Sequence, residues 1–62
     1  LLQEAIATLP DVQRVVFNLR YYDEMSFKEI ADINDCSENS AKANYHFAKT
    51  KIVELMKRYI TT

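Results

Sequence analysis

Glycine is absent from this chain and proline occurs once, at position 10. That removes the usual material of hairpin turns and phosphate-cradling loops and favours continuous helices. The single cysteine, Cys36, excludes an internal disulfide, and a lone thiol is ordinary in a reducing cytoplasm. With one Cys and one His, no zinc site can be completed within the chain, and a Cys-His nucleophile would have no third residue to orient it. Neither an enzyme nor a cofactor is expected. No stretch approaches the roughly 18 uninterrupted apolar residues of a membrane span.

What is present is a globular balance of 48% apolar and 27% charged residues in a chain of 62, enough for one domain with a modest core. The chain begins at Leu1 with neither an initiator Met nor a basic-then-apolar leader. It therefore reads as a piece of a longer protein with no export signal in view, and the cytoplasm is the expected location.

The net charge of −1 hides a segregation. Residues 1–41 carry three bases (Arg14, Arg20, Lys28) against eight acids, a balance of −5, and residues 42–62 carry Lys42, Lys49, Lys51, Lys57 and Arg58 against Glu54 alone, a balance of +4. The basic end is the candidate anion-binding surface.

Apolar spacing predicts four helices. Leu2, Ala5, Ile6 and Leu9 mark the first, which should stop near Leu9 because Pro10 disfavours helical geometry in its predecessor. Pro10 suits a first helical position, and Asp11 suits the positive end of the second helix. Val12, Val15, Val16, Leu19 and Tyr22 are then expected to form its buried stripe. Ser26-Phe27-Lys28-Glu29 has the form of a capping box opening a third helix, with Phe27, Ile30, Ala31 and Ile33 facing inward. Asn34-Asp35-Cys36 ends it with residues that tolerate left-handed backbone, Cys36 filling a small buried place, and Ser37 caps the fourth helix. Ala41, Tyr45, Ala48, Ile52, Leu55 and Tyr59 recur at steps of four and three from about residue 38 to 60. That last helix is longer than groove reading needs, so its second half should pack on the first two helices. Tyr22, Tyr45 and Tyr59 are taken as core before they are taken as stacking platforms.

A short helix, a tight turn and a second helix with small residues at the crossing make the helix-turn-helix plan, which residues 27–46 fit with Ala31 at the crossing. The expected fold is therefore all-α: a four-helix helix-turn-helix domain with a long C-terminal recognition helix. Glu38, Asn39, Ser40, Lys42, Ala43 and His46 should face away from the core. Asn39 can pair with adenine, Glu38 can accept from cytosine, and Ala43 can touch a thymine methyl. Lys42, Lys49 and His46 can meet phosphates. Without the motif, the same residues would read as an ordinary solvated helix face.

Several segments taken together resemble region four of bacterial RNA polymerase sigma factors of the extracytoplasmic-function type. They are Leu9-Pro10 with Arg14, Val16-Phe17-Asn18-Leu19-Arg20-Tyr21, Ser26-Phe27-Lys28-Glu29-Ile30-Ala31, Cys36-Ser37 with Ser40-Ala41-Lys42, and Ala48 in a closing amphipathic helix. Glu38 to His46 is similar to the Bacteroidetes branch. The resemblance spans essentially residues 1–62 as one domain. It implies recognition of the minus-35 element of double-stranded promoter DNA, docking on the flap of the polymerase β subunit, and in many members control by an anti-sigma factor, with no membrane and no small-molecule substrate. It places Glu38, Asn39, Lys42, Ala43, Asn44 and His46 on the reading face. Arg14 and Arg20 fall where members contact phosphate or pair with the Glu of the Glu-Ile-Ala motif, here Glu29, and a purely structural pair is an equal alternative.

Three departures stand out. Asn34 and Asp35 occupy places where an apolar residue and a Gly are common, which predicts a different turn conformer or some strain. Phe47 stands where many members have Arg, which removes a phosphate contact and exposes a ring. The acidic first half predicts weak DNA binding by the domain alone. Two rivals stay open: the output domain of a two-component response regulator, whose usual Thr-x-Arg-Glu opening is missing, and a helical module that binds only protein. Surplus apolar residues among Leu1, Ile6, Val15 and Phe17 would give either a partner groove or an exposed domain interface.

Overall fold

The computed structural model describes residues 2–60, with side chains described through residue 58. Four helices follow one another: α1 (Leu2–Ala7), α2 (Asp11–Tyr21), α3 (Phe27–Asn34) and α4 (Glu38–Ile60). The all-α expectation holds. The first helix ends two residues before Leu9 because its last turn tightens, with the Thr8 and Leu9 amides donating to the Ala5 and Ile6 carbonyls at 3.1 Å. Pro10 sits one place earlier than expected. It takes the N-cap position with extended backbone (φ −56°, ψ 153°) and Asp11 opens the helix.

Helix α4 packs against all three others, so the core lies along one side of it in two clusters. One gathers Ala5, Ile6, Leu9, Phe17, Ala48 and Ile52, tying α1 and α2 to the second half of α4. The other gathers Val16, Ile30, Ala31 and Ala41, where α2, α3 and the start of α4 meet. Ala31 and Ala41 are both buried at this crossing, and their small side chains let the backbones approach. Tyr45 packs on both clusters. Its ring stacks on Phe17 at 5.6 Å and meets Phe27 edge-on at the same distance.

Of the stripe expected on α2, Val16 is buried and Leu19 is half-buried against the second cluster, but the buried face is otherwise rotated from it. Val16 and Phe17 are buried with Gln13 and Arg20 half-buried beside them, whereas Val12, Val15 and Tyr22 are exposed. The spacing i, i+3, i+4, i+7 runs through two polar residues, Gln13 and Arg20, whose long stems can pack on apolar neighbours. Arg20 donates to the Met25 carbonyl at 3.0 Å and lies over the Phe27 ring, 4.8 Å from its centroid. A stripe ranked by hydrophobicity alone misses that face. Of the residues expected to line a partner groove, Ile6 and Phe17 are buried, Val15 is exposed, and Leu1 lies outside the described residues.

Two smaller corrections concern α3. Ile33 is exposed because the buried side of this helix runs through Phe27, Ile30, Ala31 and Asn34, and position 33 lies about 100° away from it. Cys36 is exposed rather than buried, because it follows the left-handed residue that turns the chain out of the helix. The expected role of Tyr59 in the seam falls outside the described side chains.

Candidate nucleic-acid interface

The interface is built from the turn upward. Asp35 adopts left-handed backbone (φ 53°, ψ 49°), and its amide and that of Cys36, the latter at 2.9 Å, both end on the Ala31 carbonyl. This closes α3 without a glycine and places left-handed backbone at Asp35, one of the two positions where the turn departs from the usual residues. Three residues later α4 has begun, with the Ser37 hydroxyl accepting from the Ser40 amide at 3.0 Å. The far end of α3 is fixed by the expected capping box. Ser26 Oγ accepts from the Glu29 amide and Glu29 Oε1 accepts from the Ser26 amide, each at 3.1 Å. These bonds to the Ser26 backbone and hydroxyl hold the Glu29 carboxyl below its ordinary value.

Ala41 anchors the first turns of α4 in the core, and that anchoring decides what faces outward. Glu38, Asn39, Ser40, Lys42, Ala43 and His46 are all exposed, as expected. Residues 39, 43 and 46 recur at helical spacing on the side away from Ala41, with Lys42 and Lys49 along one flank. Asn44 is half-buried, and its amide donates back to the Ser40 carbonyl at 3.0 Å, so its side chain is already engaged within the helix. His46 and Lys49 share a shallow open groove with Thr50 and Val53. Glu38, in the first turn, is favoured by the helix dipole.

The two arginines stand apart from this row, on α2. Arg14 pairs with Asp11 at 2.6 Å on the surface, and Arg20 is held by Met25 and Phe27. Neither pairs with Glu29, whose carboxylate is occupied by the capping box, so the structural alternative of an Arg–Glu29 bridge is not what the fold forms. A phosphate would have to compete with Asp11 for Arg14, which is a weak competitor because exposed pairs contribute about 0–1 kcal/mol. Among the described residues no cluster of metal-ligating side chains occurs, and no helix is long and apolar enough to cross a membrane.

A three-residue turn between two capped helices, a buried small-residue crossing and an outward row of polar and basic side chains is the geometry of a helix-turn-helix domain. Residues 1–52 match the family described as Sigma-70, region 4. The chain belongs to that family. No curated protein and no solved structure matches it. As a sigma-70 region 4 domain it is a DNA-binding, helix-turn-helix module of a transcription factor, in a family that recognises promoter DNA at the minus-35 position and works with RNA polymerase. The response-regulator alternative falls with that membership. In this region 4 domain Phe47, which the sequence marks only as a lost arginine, is exposed on the outward side of α4, four residues beyond Ala43.

Proposed function

We propose that residues 1–62 form one promoter-recognition and polymerase-docking module of a sigma factor of the extracytoplasmic-function type, Bacteroidetes-like in its reading segment, acting in the cytoplasm. The first three turns of α4 enter the major groove of the minus-35 element. Glu38, Asn39 and Ala43 address base edges, Lys42, His46 and Lys49 address phosphates, and Ser40 lies within the same row. Arg14 and Arg20 reach backbone phosphates from α2. Asn44, bonded to Ser40, supports the row more than it reads. The observation that carries this is the exposure of that row on a helix whose opposite side is fixed in the core at Ala41.

Polymerase docking falls to the exposed apolar residues of α2 and its C-cap. Val12, Val15 and Tyr22 remain in water after both clusters have formed, and a β-flap segment or an anti-sigma factor would cover them. The DNA reading is tested by anisotropy titration of short duplexes and single strands at several salt concentrations. Preference for duplex supports it, and absence of duplex binding even at low salt overturns it. The docking reading is tested by pull-down of the β flap, which Val12→Asp with Val15→Asp should abolish. Retained capture would overturn that role for α2.

A further inference from the structure

Phe47 is the largest apolar side chain that the described part of α4 leaves in water. It is 59% exposed, belongs to neither buried cluster, and meets the edge of the His46 ring at 6.5 Å. A single exposed aromatic is ordinary on a protein surface. What distinguishes this one is its place, one helical turn beyond Ala43 on the outward side of the helix that carries the reading row.

The ring has no charge and no hydrogen-bond donor, so it offers nothing to a phosphate. Bases inside a duplex are stacked, so it has no free face to stack on either. One feature of the major groove suits it: the thymine C5-methyl group, for which Ala and Phe are both apolar partners. Four residues of α-helix advance about 6 Å, close to two base steps of about 3.4 Å. We infer that Phe47 is a specificity-determining residue which, with Ala43, reads thymine methyl groups two base pairs apart. The inference rests on the DNA reading above and narrows it to a sequence requirement.

The test begins with selection of bound duplexes from a random pool by the 62-residue chain. Each thymine of the selected site is then replaced, one at a time, by deoxyuridine, which deletes the methyl and keeps every hydrogen-bonding group. Two replacements spaced two base pairs apart should each weaken binding about fourfold, the factor expected for one buried methyl. In Phe47→Ala one of the two effects should vanish and the other persist, while Phe47→Leu should retain both. Phe47→Arg should bind with a steeper salt dependence and with one methyl effect gone. Duplex binding by the native chain that is indifferent to every deoxyuridine, or two undiminished effects in Phe47→Ala, overturns the inference while leaving the DNA reading in place. Absence of duplex binding overturns the DNA reading itself, and this inference with it.

Discussion

Replacing Lys42 and Lys49 by glutamine should flatten the salt dependence of duplex binding without disturbing the fold. Both lysines are exposed and lie outside the buried clusters. Seven residues of helix separate them by about 10 Å along the axis and return to nearly the same flank, far enough apart to engage different phosphates. Each neutralised phosphate contributes about 0.9 to the slope of log affinity against log salt, so losing both contacts should lower the slope by about 1.8. Between about 50 and 200 mM salt, the native chain should then lose roughly 12-fold more affinity than the double variant. The two should converge as salt rises.

Fluorescence anisotropy on a selected duplex measures this directly, with circular dichroism confirming unchanged helicity. Lys51→Gln supplies the control. It removes the same single charge as either substitution alone, but two residues along α4 from Lys49 it points about 200° away. Its slope should stay native. An unchanged slope in the double variant, or a change half as large in Lys51→Gln, would refute the assignment of this flank to the phosphate backbone. The reason for expecting otherwise is geometric rather than a matter of overall charge, which is −1 for the whole chain.

Three further outcomes probe the scaffold. Ile30→Ala removes a fully buried side chain from the crossing and should cost about 2–5 kcal/mol, a large share of the roughly 3–9 kcal/mol expected for a chain this size, whereas Ile33→Ala should stay within about 0.5 kcal/mol; urea unfolding separates them. Asp35→Gly relieves left-handed backbone and should stabilise by about 0.5 kcal/mol, a rise of roughly 2–4 °C in Tm by calorimetry, and a lower Tm would contradict the strain. The Glu29 carboxyl is lowered in the folded state, so its capping contribution is complete above the ordinary value of 4.5 and is lost as pH falls through the lowered one. Acid titration followed by circular dichroism should therefore show the native chain losing stability relative to Glu29→Gln, which keeps the box but does not titrate, and parallel acid profiles would count against it.

Local grammar was the most legible part of the sequence. Ser26 and Glu29 announce α3 and Ser37 announces α4, because a side chain that satisfies an orphan amide three residues away needs no tertiary context. The seam of α4 was equally legible, since Ala41, Ala48 and Ile52 lie on a helix long enough for its period to be unambiguous. Helix α2 was misread because its 11 residues carry apolar side chains around most of the circumference. Which of them are buried depends on where Arg20 can satisfy its guanidinium, and the Met25 carbonyl and Phe27 ring that decide it belong to the next segment. Cys36 was misplaced for a related reason: hydrophobicity suggests burial, but one left-handed residue redirects it to solvent.

That Glu38, Asn39, Ser40, Lys42, Ala43 and His46 face away from the core was legible in the sequence, but what fixes the angle of that face was not, and the two clusters explain it. Ala41 holds the start of α4 against α2 and α3, while Ala48 and Ile52 hold its middle against α1 and α2. A helix fixed at one point could roll about it, but a helix fixed at two points more than one turn apart cannot roll without breaking one of them. Tyr45 lies between the anchors, in contact with both clusters and with the rings of Phe17 and Phe27. The angle at which Asn39, Ala43 and Phe47 are presented to solvent is thus set by side chains on the opposite side of the same helix. The length of α4 beyond its reading turns is what makes the second anchor available.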